Sequence, residues 1–433
     1  MPDVRALVVG ACITTTALAA VACRDLTSLQ QSNPGALDAA GVFIPANAVL
    51  LTNGVIADFE CAFSRYVVGS GLFTDELSDA IANPSNYDYD ARRVTTNAPY
   101  GTATCTSTTN QQPAIYTSLS TARASGDTVA AKLRGWTDAE VPVGVSRAKL
   151  IGQAAAYTGY SILLLGESMC SAAINIGPEL TPAQLFAEAK IRFDSAVVSA
   201  TAANDAATLN LALLGRARTL LNLGDAAGAG TDAAKIPAGF VLNMSTDGVN
   251  IRRENFSFIS INQNSWATVD PSFRGLTING APDPRVAVTN SGRNGTAAGT
   301  QVFTPDKYNA LASAMPIARY AEAQLIVAEA KLAANDLPGA VAAINLVRAS
   351  RTGVPAYDGT GQTAAQIKAQ IIEDRRRELF LEGHRLGDLR RYNLAFTPVA
   401  GTAYTTGGGV YGTQTCLPLP DVERVNNPNI FKP

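Results

Sequence analysis

Apolar residues recur at helical spacing over most of the chain, and the breaks in that rhythm divide it. Val49, Leu50, Val55, Ile56, Phe59 and Phe63 give one apolar face to a helix over Ala46–Tyr66. The pattern returns over Ile115–Leu133 and over Arg147–Leu165, RAKLIGQAAAYTGYSILLL, a run of good helix formers. Thr181-Pro182 opens another helix with proline at its first position, PAQLFAEAKIRFDSAVVSA, and LNLALLGRARTLLNL follows over Leu209–Leu223. Two stretches lack the rhythm. One, about 64–117, carries Asn83-Pro84, Asn86, Asn97 and a run of Thr and Ser. The other, about 237–316, carries Pro237, Gly239, Asn250, Asn255, Pro271, Gly280, Pro282 and Pro284. Within the second, IRRENFSFISI (251–261) predicts a short strand or two. The pattern predicts a mainly α protein with long irregular loops and a few short strands. Loops of such length inside a compact protein are often binding surfaces.

The helical part repeats itself. LNLGDAAGAGTDA (221–233) matches LAANDLPGAVAAI (332–344) in Leu, Asp, Gly and Ala, at an offset of 111 residues. In each copy a helix ends before Asp and an Ala-rich helix begins. This is a helix–turn–helix unit of tetratricopeptide type, and Ile317–Ser350 has the 34-residue length of such a repeat. Stacked units bury a shared core, so a tetratricopeptide-like scaffold is expected over about 118–236 and 315–393.

The densest signal is Thr363–Tyr392, TAAQIKAQIIEDRRRELFLEGHRLGDLRRY. Thr363 and Gln366 have the spacing of a capping box, and Ile367, Ile371, Ile372, Leu379 and Phe380 mark a buried face. Gly383 is where that helix should end or bend. Charges of both signs packed this closely ordinarily form a solvated helix face. As a string, however, RRRELFLEGHRLGDLRRYN resembles the C-terminal motif of the SusD/RagB family, with Tyr392 where that family usually has Trp. RYAEAQLIVAEA, INLVRAS, Asp283-Pro284-Arg285 and CLPLPDVERVNNPNI resemble the family at corresponding places. The resemblance implies a SusD-like α-α superhelix in one domain over 46–433, with the motif serving the fold. It further implies a surface lipoprotein that binds a nutrient, often a glycan, and works with a TonB-dependent, SusC-like outer-membrane transporter. It names no substrate and, because such ligand sites are built from variable loops, carries over no site residue.

The N-terminus reads as a targeting segment. Arg5 precedes an uncharged run, Ala6–Ala22, too short for a membrane span of about 20 residues. Ala20-Val21-Ala22-Cys23 resembles a lipobox, which implies cleavage after residue 22, acylation of Cys23 and a tether over 23–45. Several acyl chains, at about 0.8 kcal/mol per buried CH₂, would anchor the protein to the outer membrane, facing outward. Beyond Cys12 and Cys23 four cysteines remain: Cys61, Cys105, Cys170 and Cys416. An even number in an exported chain fits two disulfides in any of three pairings. Sequence proximity favours Cys61–Cys105, which leaves Cys170–Cys416.

Composition narrows the chemistry. With 47% hydrophobic and 16% charged residues the chain has a sizeable core, and a formal net charge of −2 offers no basic field for nucleic acid. His384 is the single histidine and lies inside the motif, so Ser-His-Asp, Cys-His and multi-histidine metal sites are not expected. No cofactor motif is present, and Gly407-Gly408-Gly409 reads as a bare turn. A glycosidase needs only two carboxylates, but Asp75, Glu76, Asp88 and Asp90 look like ordinary loop acids, and no enzymatic activity is expected. For sugar binding the candidates are clustered aromatics, whose faces stack on sugar C–H surfaces. These are Tyr87, Tyr89 and Trp266, then Tyr100 and Phe73, with Asp75 as a polar neighbour. Asp75 and Glu76 equally suit a helix start. The competing expectation is a lipid-anchored helical-repeat scaffold that binds proteins alone.

Overall fold

A computed structural model describes residues 39–105, 113–297 and 299–430. The signal segment, Cys23 and the tether up to residue 38 lie outside the described residues. The described helices are α1 (Ala48–Phe73), α2 (Pro84–Asp90), α3 (Tyr116–Gly135), α4 (Arg147–Ser168), α5 (Pro182–Ala202) and α6 (Ala206–Asn222). They continue as α7 (Ala226–Ala233), α8 (Tyr320–Ala333), α9 (Leu337–Ala349), α10 (Ala364–Glu378), α11 (Arg385–Arg391) and α12 (Asp421–Asn426), with one further turn at Ala39–Val42. None of them is long and apolar enough to cross a membrane.

Helix α4 is the hub, packed against α1, α3, α5 and α6. It is buried nearly all round, as its apolar sequence requires. Its glycines fall every seventh residue, and so do their neighbours on α5. A Cβ on Gly159 would lie 2.8 Å from the Phe193 ring, one on Gly166 2.5 Å from Phe186, and one on Gly152 3.1 Å from the Ala200 backbone. The seam is thus antiparallel, large residue into missing side chain, and it brings two long helices close. Tyr160 then meets Phe193 edge to face at 5.2 Å.

The two repeats close alike. Asp225 caps α7 by accepting from the Gly228 N–H at 2.8 Å, and Asp336 caps α9 by accepting from Gly339 at 2.9 Å. In both, a Cβ on the glycine would sit within 2.4 Å of the capping carboxylate, which is why Asp-x-x-Gly recurs at that offset. Helix α8 packs on α7, α9 and α10, so the second unit stacks on the first. Residues 316–319 are a strand paired antiparallel with 241–243, so the second unit begins three residues later than its repeat length suggested.

Two expectations are corrected. Helix α1 continues through 64–73, because Tyr66, Val67, Val68, Leu72 and Phe73 extend its buried side. The 251–261 stretch is a turn leading into one π-helical segment, Phe258–Gln263. Asn255 accepts from the Phe258 N–H, and Arg65 stacks on Phe256 at 3.6 Å, which holds the chain coiled. Short antiparallel pairs do form elsewhere in the loops, 77–79 with 267–269 and 288–294 with 301–305.

The charged motif is not a solvated face. Helix α10 opens with the Thr363/Gln366 capping box but stops at Glu378, five residues before Gly383; Leu381 takes φ +53° and donates its N–H to Glu76. Asp374, Arg375, Glu378, Glu382, His384 and Asp388 are all buried. Each buried acid meets a cation: Asp374 pairs with Arg285 and Arg348, Glu378 and Glu382 with Arg319 at 2.7 Å, and Asp388 with Arg375 at 2.8 Å. Burial pushes His384 well below its ordinary range, so it is neutral, facing Glu322 at 3.8 Å. Two disulfides complete the frame, Cys61–Cys105 and Cys170–Cys416.

Candidate functional site

Helix α2 places two tyrosines two positions apart, which points them to different sides. Asn83 accepts from the Ser85 N–H and caps the helix, and Pro84 occupies its first turn. Tyr89 turns inward. It is 1% exposed, donates to the Pro113 carbonyl at 2.8 Å and meets Tyr100 edge to face. Tyr100, fully buried, donates to the Pro418 carbonyl. Phe73 is equally buried, against Phe396. These three are core residues, because a loop-like sequence around an aromatic carries no information on which side of the loop it faces. Asp75 is also removed from the candidates: it is buried in a bidentate pair with Arg385 at 2.6 and 2.7 Å. Glu76 sits beside it, and burial raises its carboxyl to about 8.

Tyr87 and Trp266 remain, both half-buried. Their link runs through the backbone: Asn86, next to Tyr87, donates its amide to the Trp266 carbonyl at 3.0 Å. The same carbonyl accepts from the Ala80 N–H, and the Trp266 ring leans on Phe256.

A third contributor comes from more than 300 residues downstream. Residues 396–412 fold back as a flap, with Tyr404 and Gly409, Gly401 and Tyr411, and Tyr411 and Thr402 joined through backbone hydrogen bonds. Its Gly412 N–H reaches the Ala91 carbonyl at 2.7 Å. Tyr404 lies 6.4 Å from Tyr87 and 5.1 Å from Tyr411. Gly407 is far from a bare turn. A Cβ there would lie 2.9 Å from the Tyr87 ring and 3.0 Å from that of Tyr404, so the glycine allows the flap to close on α2.

Under the flap the electrostatics are unusual. Asp90 accepts from the Asp79 N–H at 2.7 Å and from the hydroxyls of Tyr404 (3.2 Å) and Tyr411 (3.5 Å). Burial still dominates, raising Asp90 to about 7 and Asp79 to about 6. Arg92, 2% exposed, has φ +52° and lies 5.0 Å over Tyr411 and 5.7 Å from Phe396. It donates to the Pro398 carbonyl through Nη2, but its buried Nη1 has no hydrogen-bond partner. Arg93 is half-exposed, 5.5 Å from the Tyr404 ring centre.

The surface is a small aromatic floor with polar edges, suited to stacking and hydrogen bonding. Among the described residues no cluster of three His, Cys, Asp or Glu could hold a metal ion. A separate cleft of about 440 Å³ lies over Lys307, Arg319, Arg351, Glu378 and Glu382, whose charges are paired with one another. Tyr404, Tyr411 and the two arginines escaped the sequence analysis because only tertiary contact puts them beside Tyr87.

Residues 291–429 match the model of the SusD family. Known structures agree over nearly the whole chain. A SusD superfamily protein from Bacteroides fragilis superposes with TM-score 0.68 at 15% identity, covering 90% of this chain and 99% of the other. Surface glycan-binding protein A from Bacteroides thetaiotaomicron, in complex with laminarihexaose, gives 0.66 at 14% identity, covering 88% and 98%. A SusD-like carbohydrate binding protein from Bacteroides vulgatus gives 0.62 at 17%, covering 89% and 97%. No curated protein sequence matches.

Proposed function

We propose, from the premise that this chain belongs to the SusD family, that it captures a glycan at the Tyr87–Trp266 face and passes it to a TonB-dependent transporter. In this reading acylated Cys23 holds it to the outer membrane, facing outward. The observation that carries the proposal is the half-buried Tyr87, backed by Tyr404 and Tyr411 and joined through Asn86 to Trp266. A sugar stacked on Tyr87 buries apolar C–H surface worth about 25 cal/mol per Å², and the half-buried Asn83 is a polar neighbour. The glycan complex of a structural relative supports the same class of ligand. For a protein partner the outward side of α5 exposes Ile191 and Val198, seven residues apart. A transporter docked on the helices would bury about 1,600 Å² or more.

The test is co-purification of the tagged full-length protein from native outer membranes, with glycan binding measured on the purified material. A large TonB-dependent barrel at near-equal stoichiometry, together with a Tyr87→Ala variant that melts normally but binds glycan about tenfold more weakly, is the expected result. Recovery alone after cross-linking, or with soluble proteins only, sinks the transporter half. Undiminished binding by Tyr87→Ala sinks this site.

A further inference from the structure

Resting on that reading, we infer that the captured sugar carries a carboxylate or sulfate group and that Arg93 recognises it. Salt bridges and hydrogen bonds occupy most arginines of the described chain, above all those of the C-terminal motif. Arg93 differs. Among the described residues its guanidinium makes no hydrogen bond or ion pair, and its neighbours are the Tyr404 ring and the backbone of Gly409. A Cβ on Gly409 would lie 2.4 Å from its Nη1, so the glycine leaves room for the guanidinium at the edge of the flap.

Tyr87 and Arg93 both rest against Tyr404, at 6.4 and 5.5 Å, within the span of a short oligosaccharide. One bound ligand can therefore stack on the first and present an acidic substituent to the second. The guanidinium fork matches a carboxylate or sulfate in two parallel N–H···O bonds.

Local acids do not already serve that purpose. Asp90 is committed to the Asp79 N–H and to two tyrosine hydroxyls. Asp88 feels the charge of Arg93 but forms no side-chain hydrogen bond or ion pair with it. Behind Arg93, the guanidinium of Arg92 is buried with one nitrogen unpartnered and also lacks an ion pair. Buried charges are ordinarily paired. Two successive cations, neither in an ion pair among the described residues, at the edge of an aromatic floor, fit an anion supplied by the ligand.

The test measures binding of the purified full chain to oligogalacturonate, alginate oligomers and a sulfated galactan oligosaccharide, with laminarihexaose as the neutral reference. At least one acidic oligosaccharide is expected to bind with an affinity that falls as salt rises. Arg93→Gln, melting at the wild-type temperature, should weaken that affinity about tenfold to a hundredfold while changing laminarihexaose binding less than about twofold. Binding of laminarihexaose alone, or acidic binding indifferent to Arg93→Gln, overturns this inference and leaves the glycan reading standing. No binding of any of the four sugars overturns both.

Discussion

The C-terminal motif and the segment Asp88–Arg93 beneath the flap both carry arginine and acid, yet they use those charges in opposite ways. In the motif each carboxylate has its guanidinium. Asp374 alone accepts from Arg285, Arg348 and Gln370, and the resulting lattice ties 283–285, 307 and 319 to the motif. Beneath the flap, Arg92 and Arg93 lie among aromatic rings without an ion pair, and Asp90 is hydrogen-bonded by neutral groups. Charge pairing, more than charge density, separates fold from site here. Paired charges leave nothing over for a ligand; unpaired ones at a partly open surface do.

The sharpest way to break this contrast is Asp374→Ala. It strands the buried Arg348 guanidinium and takes from Arg285 one of its two carboxylates, and should cost about 3–5 kcal/mol of stability by denaturant titration. A loss under about 1 kcal/mol would mean that the motif is solvated after all, as its sequence suggests. Next is Gly407→Ala. The added methyl meets Tyr87 and Tyr404, so about 1–3 kcal/mol of strain is expected, together with altered glycan binding and a motif lattice left intact. Loss of stability without any change in binding would detach the flap from the site.

The smallest effect is one of pH. Glu76 and Glu322 near the motif are raised to about 8 and 7, and Asp90 and Asp79 under the flap to about 7 and 6. An acid with a raised folded value binds its proton more tightly when folded. Its neutral form therefore favours the fold between the unfolded value near 4 and the folded value, and stability should fall as pH rises from about 4 to 8. Below that window Asp283, held at about 2 by Arg285 and Arg377 against the effect of burial, loses its contribution as it protonates. The melting temperature should thus be a few degrees higher at pH 5.5 than at pH 8.5. Asp90→Asn should remove only the Asp90 share, and an unchanged slope in that variant would assign the effect to Asp79, Glu76 and Glu322.

The legible parts of this molecule are those with local rules. The capping box at Thr363, the proline-first helix start at Thr181-Pro182 and the Asp-x-x-Gly turns of the repeat are set by atoms a few residues apart, and they stand where the sequence places them. Loop aromatics obey no such rule. Tyr87 and Tyr89 share one short helix and one composition, yet the two-residue step between them, a little over half a turn, sends the first to the surface and the second to the core. Tyr404 could not be associated with Tyr87 at all, because the contact spans most of the chain. The motif misled in a different way, since local charge density says nothing about burial when the counter-ions come from Arg285, Arg319 and Arg348 elsewhere in the sequence.

The Cys170–Cys416 bond turns the segment between them into a covalent ring that carries both repeats, the motif and the flap. In mechanical terms the protein is a closed hoop with two tails. A single cut anywhere within 171–415 opens the hoop without dividing the molecule, so the two edges of a nicked surface loop stay on the same particle until the bond is reduced.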